Sequence, residues 1–330
     1  MRAPIHNNLL AGLCLVSFTS CLPDELPVPP RALVGGGNGV AYDAQLCMGT
    51  GYGDQVWFDL ATGTEVARNS KMDWDLAFAG HADEMYVRLN CARLVSAHAT
   101  GQTDIAIATD TTGFGPGWKW DHSEGSSDSL AIGPWWQSPQ QVHVIDLGKN
   151  IFGVHLGLRK LQMVDMTADA FHFRVARLDG SQVQELVVQK DPARRYVHFN
   201  MRTGQQVSIA PPDGEFDILF TGYNHQFYDP FMTYAVTGVL NGFSGAQVAE
   251  LVQPDLASVS LNDTIAHPFS TAQDAIGYDW KSFTGSTYAV NPAHVFIVKS
   301  ADGAFYKLRF IDFYDSSGMQ GCPRFEVVGL

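Results

Sequence analysis

The stretch VFIVKSADGAFYKLRFIDFYD, Val295 to Asp315, alternates apolar and polar residues on both sides of an Asp-Gly pair. Such alternation is typical of a half-buried strand, and an Asp-Gly pair between two alternating runs is typical of a tight turn. The stretch therefore predicts a β-hairpin. Similar runs of Val, Tyr, Phe and Thr, broken by Gly, Asp and Asn, continue through most of the chain, where helical patterns are scarce. We therefore predict an all-β protein.

Five segments recur in the same order in the two halves of the chain. They pair as VWFDLATGTEV (56–66) with VHFNMRTGQQV (197–207), WDLAFAG (74–80) with FDILFTG (216–222), MYVRLN (85–90) with TYAVTG (233–238), GWKW (117–120) with DWKSF (279–283), and RKLQMVDM (159–166) with YKLRFIDF (306–313). Chance does not readily produce five matches in one order. We therefore predict two tandem antiparallel β domains, 40–190 and 191–330, with the boundary at the polar, proline-containing segment QKDPARR.

Each copy of the repeat carries one aspartate in an otherwise apolar strand. Asp75 follows Trp74, and Asp217 follows Phe216. A carboxylate buried in such a strand needs backbone N–H groups as hydrogen-bond partners. We therefore predict that both aspartates hold turns in place and that neither is catalytic.

The N-terminus resembles a bacterial lipoprotein signal. Met1-Arg2 is followed by an apolar run at 9–18, which is too short to span a bilayer, and then by FTSC, which ends at Cys21. The resemblance implies cleavage before Cys21 and a lipid on that cysteine; the alternative is an ordinary secretory signal. In both cases residues 1–20 are a signal peptide outside the fold. Residues 21–39 are rich in proline and glycine and predict a flexible tether.

The composition excludes several classes of function. The formal net charge of −13 argues against a nucleic-acid ligand, because a phosphate backbone requires a basic face. No segment after the signal is apolar and long enough to span a membrane, so a lipid anchor is the predicted membrane contact. HExxH, GxSxG and Walker motifs are absent, which predicts that the protein is not an enzyme. The acidic segment DHSEGSSDS (121–129) leaves calcium as an alternative ligand, although its spacing fits no EF-hand.

Three cysteines, Cys47, Cys91 and Cys322, follow the predicted lipidation site. In an oxidising compartment they permit one disulfide and one free thiol, and the sequence leaves the pairing open. No CxxC spacing occurs, so a zinc or redox cysteine centre is not expected.

With these motifs in view, the chain resembles the HmuY family of haem-binding surface lipoproteins. The resemblance rests on the lipoprotein signal, on VWFDLATG, MDWDLAF and YVRLNC in the first half, and on VFIVKSADGAFYKLRFIDFYDSSGMQGCPRFEVV at the end. It implies a HmuY-like architecture for both predicted domains and haem, iron protoporphyrin IX, as the ligand. It also implies a haemophore at the cell surface or outer membrane, which takes haem from host haemoproteins and passes it to a TonB-dependent outer-membrane receptor.

The resemblance further implies histidine ligands to the haem iron. One family histidine follows a tryptophan-aromatic segment shortly before the last hairpin, and His122 follows GWKWD at the matching place. His98 is the candidate for the second metal ligand beside His122, and His267 is the candidate in the second half. Trp118 and Trp120 lie close to His122 in the sequence and are candidates for the apolar walls of a haem pocket.

The second half contains DWKSFTGSTY and no histidine at the place of His122. This difference keeps an alternative open, in which a surface lipoprotein uses the same β scaffold for adhesion or assembly and has lost the haem site. Lys119 and Lys281 are candidates for contacts with the haem propionates. His81 and His225 follow the AFAG and LFTG segments. Their recurrence in both copies leaves a site open as an alternative, although loops at strand ends readily tolerate a histidine that has no ligand role.

Overall fold

The computed structural model describes residues 39–241, 245–253 and 255–330. The predicted signal peptide, the lipidation site Cys21 and nearly all of the predicted tether lie outside the described residues. In the described part, no helix is long and apolar enough to cross a membrane.

The described residues form twenty β-strands and seven short 3₁₀ helices. The strands are β1 (Ala41–Gln45), β2 (Asp54–Asp59), β3 (Thr64–Ser70), β4 (Leu76–Ala79), β5 (Val87–Leu89), β6 (Ser96–Ala99), β7 (Val142–Asp146), β8 (Leu158–Met166), β9 (Ala170–Ala176), β10 (Gln184–Gln189), β11 (Tyr196–Asn200), β12 (Gln205–Val207), β13 (Ile218–Tyr228), β14 (Phe231–Leu240), β15 (Gln247–Val252), β16 (Lys281–Phe283), β17 (Tyr288–Val290), β18 (His294–Lys299), β19 (Phe305–Tyr314) and β20 (Gln320–Gly329). The 3₁₀ helices are Thr50–Tyr52, Cys91–Arg93, Gly115–Gly117, Ser127–Ser129, Trp135–Gln137, Leu256–Ser258 and Leu261–Ile265.

The strands are arranged in antiparallel sheets. Two sheets have five strands, in the orders β1-β20-β19-β18-β15 and β10-β9-β8-β7-β6. Two more have four strands, in the orders β12-β11-β4-β5 and β14-β13-β2-β3, and β16 pairs with β17. The prediction of an all-β protein is confirmed.

The opening hairpin is present as β18 and β19, with Val295 opposite Arg309 and Lys299 opposite Phe305. Its turn closes through the Ser300 N–H, which donates to the Ala304 carbonyl at 2.9 Å. Gly303 in this turn has a φ of 91°, a conformation that side chains with a Cβ rarely adopt. The Asp-Gly pair therefore forms the turn for the reason that the sequence suggested.

The two halves of the chain are interleaved within the sheets. β4 of the first half pairs with β11 of the second, with Ala79 opposite Tyr196. β2 pairs with β13, and β1 pairs with β20. The described residues form one compact unit. The predicted separate domains 40–190 and 191–330 are thus corrected, because a cut at residue 190 would break hydrogen-bonded pairs in three sheets.

The two aspartates make equivalent contacts, and each contact joins one copy of the repeat to the other. Asp75 accepts a hydrogen bond from the Met201 N–H at 2.7 Å, and Asp217 accepts one from the Leu60 N–H at 2.8 Å. Met201 and Leu60 occupy matching places in the first repeated segment. Each aspartate therefore holds the hairpin of the other copy, which agrees with the structural role predicted for both.

Two buried lysines show the same correspondence. Lys160 donates to the Ile107 carbonyl at 2.8 Å, and Lys307 donates to the Val259 carbonyl at 3.0 Å. Each lysine follows the first residue of the repeated RKLQMVDM and YKLRFIDF segments. Buried ammonium groups need such carbonyl partners, since an unpaired buried charge is costly.

The hydrophobic core consists of two main clusters, each between one five-stranded and one four-stranded sheet. Phe58, Phe220, Phe310 and Phe325 belong to the cluster that includes β20. The second cluster contains Phe78, Phe171, Phe173 and Phe199 among its buried residues. Both clusters contain side chains from both halves of the chain, so packing as well as strand pairing joins the two copies.

One disulfide links the two ends of the described unit. Cys47, after β1, is bonded to Cys322 in β20 across a sequence separation of 275 residues. Cys91 is free. The structure therefore resolves the pairing that the sequence left open.

Candidate functional site

A groove with a volume of about 770 Å³ lies beside the hairpin formed by β13 and β14. We call it the hairpin groove. Its wall contains six aromatic residues and two lysines: Tyr52, Phe227, Tyr234, Tyr278, Phe283, Tyr288, Lys71 and Lys281. Pockets for organic ligands have volumes of about 300–1,000 Å³ and are mostly apolar with a few polar groups, and the hairpin groove fits that description.

The register of β13 and β14 decides which side chains face this groove. Phe227 lies opposite Met232, and His225 lies opposite Tyr234. Residues that are directly opposite in an antiparallel pair project from the same face of the sheet. Phe227 and Tyr234 line the groove, and His225 and Met232 lie on the same side of the hairpin as these two residues. His225 and Met232 are not themselves among the lining residues, which also include Ala235 and Thr237 from the other side.

Lys281 is buried at the groove wall. Its ammonium group donates to the carbonyls of Thr237 and Tyr278, and it lies 4.4 Å from the centroid of the Trp280 ring and 4.8 Å from that of Phe313. Burial lowers the pKa of Lys281 to about 7. A carboxylate entering the groove would meet a lysine whose charge is sensitive to pH near neutrality.

His225 lies between two rings of the groove wall. Its ring centroid is 4.9 Å from that of Phe227 and 5.1 Å from that of Tyr278. The His225 Nδ1 atom is buried and has no hydrogen-bond partner among the described residues. Buried polar atoms usually have partners, so the unpartnered state of this nitrogen is unusual. The Nδ1 atom of His98 is also buried and without a described partner. His225 is not among the ligands predicted from the sequence, although its place after the repeated LFTG segment was a signal.

His122 lies on the opposite face of the same hairpin. Its Nδ1 atom is 3.4 Å from the Tyr228 hydroxyl and 3.9 Å from a Glu124 carboxylate oxygen. The preceding carbonyl, that of Asp121, accepts hydrogen bonds from the side chains of Asn224 at 2.8 Å and Gln226 at 3.1 Å. The loop of His122 is therefore tied to the hairpin, but His122 is not among the residues that line the groove.

His98 and the predicted tryptophans form a separate cluster. The His98 ring stacks on Phe114 with centroids 3.7 Å apart, and Trp118 lies edge-on to it at 5.8 Å. Trp120 instead donates from its indole N–H to the Leu94 carbonyl at 3.3 Å. The structure thus brings His98 and Trp118 together. Trp120 has a different partner, the Leu94 carbonyl.

The pairing of two segments sets the places of His98 and His122. Ala97 and Lys119 form an antiparallel bridge. Since both histidines follow their bridge residue in the chain, they lie in opposite directions from the bridge. His98 and His122 contact different residues, and neither lines the hairpin groove.

His267 is exposed after the last 3₁₀ helix, and its backbone N–H donates to the Asp263 carbonyl at 3.0 Å. It shares no described contact with His122 or His98.

In the segment 121–129, considered above as an alternative calcium site, the first residue has a structural role. The Asp121 carboxylate is buried and accepts hydrogen bonds from the backbone N–H groups of Leu89 and Ala131, both at 2.8 Å. Elsewhere in the described residues, Asp315 lies close to the sulfurs of Cys47 and Cys322, but these two form the disulfide and are not thiolate ligands.

A smaller cavity lies between the sheets, lined in part by Trp74, Cys91 and His198. Burial lowers the pKa of His198 to about 3 and raises the pKa of the Cys91 thiol. Both groups are therefore neutral near pH 7. Their neutral state suits an apolar interior and does not suit nucleophilic or acid–base chemistry.

The family model of HmuY protein matches residues 51–327. The chain belongs to the HmuY family. The match extends over both copies of the repeat, so the HmuY family relationship covers the interleaved unit as a whole and not one half of it. No curated protein matches this chain.

Solved structures similar to this HmuY-family chain share little sequence with it. Apo PinO from Porphyromonas gingivitis has 10% identity and a TM-score of 0.35, covering 88% of this chain and 97% of its own. The apo HmuY analog of Tannerella forsythia has 10% identity and a TM-score of 0.24, covering 87% and 94%. A Bacteroides vulgatus protein described as HmuY-like and heme-binding has 11% identity and a TM-score of 0.22, covering 87% and 91%.

Proposed function

We propose that this HmuY-family protein binds haem in the hairpin groove. The observation that carries the proposal is the combination, in one groove of about 770 Å³, of aromatic walls with two lysines. Haem is a flat, mostly apolar molecule with two carboxylates at one edge. Aromatic rings such as Tyr234 and Tyr278 would pack on its faces, and Lys71 and Lys281 would pair with its propionates.

His225 is the proposed axial ligand to the haem iron. Its ring packs against two residues of the groove wall, and its Nδ1 atom has no hydrogen-bond partner among the residues described. A neutral imidazole is a common haem ligand. His122, the ligand predicted from the sequence, remains the competing proposal on the other face of the hairpin.

We infer that the bound haem is cargo and that the protein acts as a haemophore at the cell surface. The lipid on Cys21 would anchor it in the outer membrane, with the tether holding the β unit away from the lipid. Host haemoproteins would supply the haem, and a TonB-dependent receptor would accept it. This role needs a groove that is open to other proteins, which agrees with the 60% exposure of Phe283 at the groove wall.

One observation favours the second candidate function, a surface lipoprotein for adhesion or assembly. The tip of the β13–β14 hairpin exposes Tyr228 by 70% and Phe231 by 64%, and such apolar surface often marks a contact with another protein. The two candidates differ in one measurable property, because only a haem binder gains stability when haem is added.

A haemin titration of residues 22–330, followed by visible absorption, tests the proposal. We expect a saturable Soret band. We also expect the double variant Lys71→Gln/Lys281→Gln to bind haemin about tenfold or more weakly, since charge-assisted contacts to carboxylates are lost. Lys149→Gln is the matched control, because Lys149 is exposed and lies outside the groove. Absence of a saturable band in the unmodified protein would favour the adhesion or assembly function.

Haem affinity is expected to fall as the pH rises above neutrality. Burial lowers the pKa of Lys281 to about 7, so the ammonium that would pair with a propionate loses its proton as the pH rises through that value. Above this pKa the dissociation constant for haemin should rise by up to about tenfold per pH unit. Titrations between about pH 7 and 9 would measure this. Lys281→Arg, which stays charged, should remove the dependence, and an unchanged dependence in that variant would contradict the role of Lys281.

A further inference from the structure

A second, smaller cleft lies at one end of the five-stranded sheet that contains β8, β9 and β10. It has a volume of about 120 Å³, and three arginines line it: Arg159 at the start of β8, Arg177 after β9, and Arg202 in the turn between β11 and β12. Gln182 and Gln184 add polar groups to the same wall. We call this site the arginine cleft.

The arginine cleft is positive although the protein carries a net charge of −13. Among the described residues that line it, none is acidic. The guanidinium of Arg177 donates no hydrogen bond and forms no ion pair within the described part of the chain, and that of Arg159 donates only to the neighbouring Leu158 carbonyl, at 2.9 Å. These two side chains therefore keep most of their donors available.

Arg202 is only partly neutralised. Its Nε atom lies 3.5 Å from an Asp75 oxygen, but the same oxygen is the partner of Arg93. One carboxylate thus serves two guanidinium groups, and the set carries a net positive charge. The Arg202 guanidinium also donates to the Met72 carbonyl, and Asp179 interacts electrostatically with Arg177. The arginines still outnumber these carboxylates, so the arginine cleft keeps a net positive charge.

The internal repeat shows that the fold does not require these arginines. In the aligned segments, Arg202 matches Ala61, and Arg159 matches Tyr306. In the other copy the Tyr42 ring lies against Gly63, where an added Cβ would be 3.0 Å from it, and Tyr306 is buried. The place that is a polar cleft in one copy is closed by tyrosine side chains in the other. The framework can therefore be built without arginines at these positions.

We propose that the arginine cleft binds a phosphate group. Guanidinium groups offer paired donors that match the oxygens of a phosphate, and clusters of arginines are the usual protein receptors for that group. The volume suits a group of this size and excludes a tetrapyrrole. The ligand is therefore distinct from haem, and it is either free phosphate or the phosphate headgroup of a lipid near the anchored protein.

Calorimetric titration of residues 22–330 with inorganic phosphate, at about 0.15 M salt, tests the first source. We expect one saturable site. The double variant Arg159→Gln/Arg177→Gln should bind about tenfold or more weakly, because charge-assisted hydrogen bonds are lost. Arg174→Gln is the matched control: it makes the same chemical change on β9, where Arg174 pairs with Glu185 at 2.9 Å outside the cleft.

Co-sedimentation with phosphatidylcholine vesicles, with and without phosphatidic acid, tests the second source. Binding that requires phosphatidic acid and is lost in the double variant assigns a lipid headgroup, whereas binding of free phosphate alone assigns a soluble anion; both support the cleft. Equal binding by the unmodified protein and the double variant, or no binding of either probe, would overturn it. Haemin binding should be unchanged in the double variant, which separates this inference from the proposed haem site.

Discussion

Asp75→Ala is expected to lower the free energy of unfolding by about 3–5 kcal/mol, the usual cost of leaving a buried charge without its partner. The side chains of Asp75 and Arg93 are both fully buried, and Arg93 is the direct ion-pair partner. The same carboxylate accepts a hydrogen bond from the Met201 N–H at 2.7 Å, which belongs to the other copy of the repeat. The substitution therefore removes a buried ion pair and one of the links that interleave the two copies.

Asp217→Ala is the matched control, because Asp217 holds Leu60 as Asp75 holds Met201. Burial raises the pKa of Asp217, so the fold disfavours its charge and loses less when the carboxyl is removed. We expect a loss of about 1–3 kcal/mol for this variant. Urea unfolding at pH 7 measures both. Equal losses in the two variants would contradict the role assigned to the Arg93–Asp75 pair.

Removal of the disulfide, by Cys47→Ala with Cys322→Ala, is expected to lower the free energy of unfolding by about 2–5 kcal/mol. The bond closes a loop with a sequence separation of 275 residues, and a long closed loop restricts the unfolded chain strongly. It also fastens the end of β1 to β20, a pairing that joins the first and last strands of the unit.

Cys91→Ala is the control for this change, since Cys91 is free and takes no part in the disulfide. Under non-reducing conditions the double variant should unfold at clearly lower urea concentration than the control. Adding a reductant should weaken the unmodified protein and leave the double variant unchanged. If the reductant weakens both proteins equally, the account of the disulfide is wrong.

Local patterns in the sequence predicted the local structure well. The alternation around the Asp-Gly pair predicted β18 and β19, and the apolar setting of Asp75 and Asp217 predicted that backbone N–H groups would be their partners. These features depend on residues that are close in the chain or on a rule that holds for any buried carboxylate. They could therefore be predicted from the sequence.

The partner of each strand could not be predicted in the same way. An alternating segment such as β2 or β4 needs an antiparallel neighbour, but its pattern is satisfied equally by a strand from its own half and by the matching strand from the other half. The structure pairs β4 with β11 and β2 with β13. The repeat was visible in the sequence, whereas the exchange between its copies depends on tertiary packing.

The candidate site shows the same limit. His122 was selected for its place after the GWKWD segment and His98 as its upstream partner. The hairpin groove is instead built from residues as distant in the chain as Tyr52, Tyr234 and Tyr288. His225 and Tyr234 lie on one face of the hairpin because they are opposite each other in its register. The alternation of apolar and polar residues does not reveal that register. Residues that converge through register and packing leave no compact motif in the sequence.

The most direct test of the haem proposal is a parallel haemin titration of the unmodified protein, His225→Ala and His122→Ala, followed by visible absorption. We expect His122→Ala to keep the Soret position and affinity of the unmodified protein, since His122 lies on the other face of the hairpin. His225→Ala should shift the Soret band and weaken binding, because the iron loses its proposed ligand. The reverse pattern, with the spectrum unchanged in His225→Ala and lost in His122→Ala, would contradict binding in the hairpin groove.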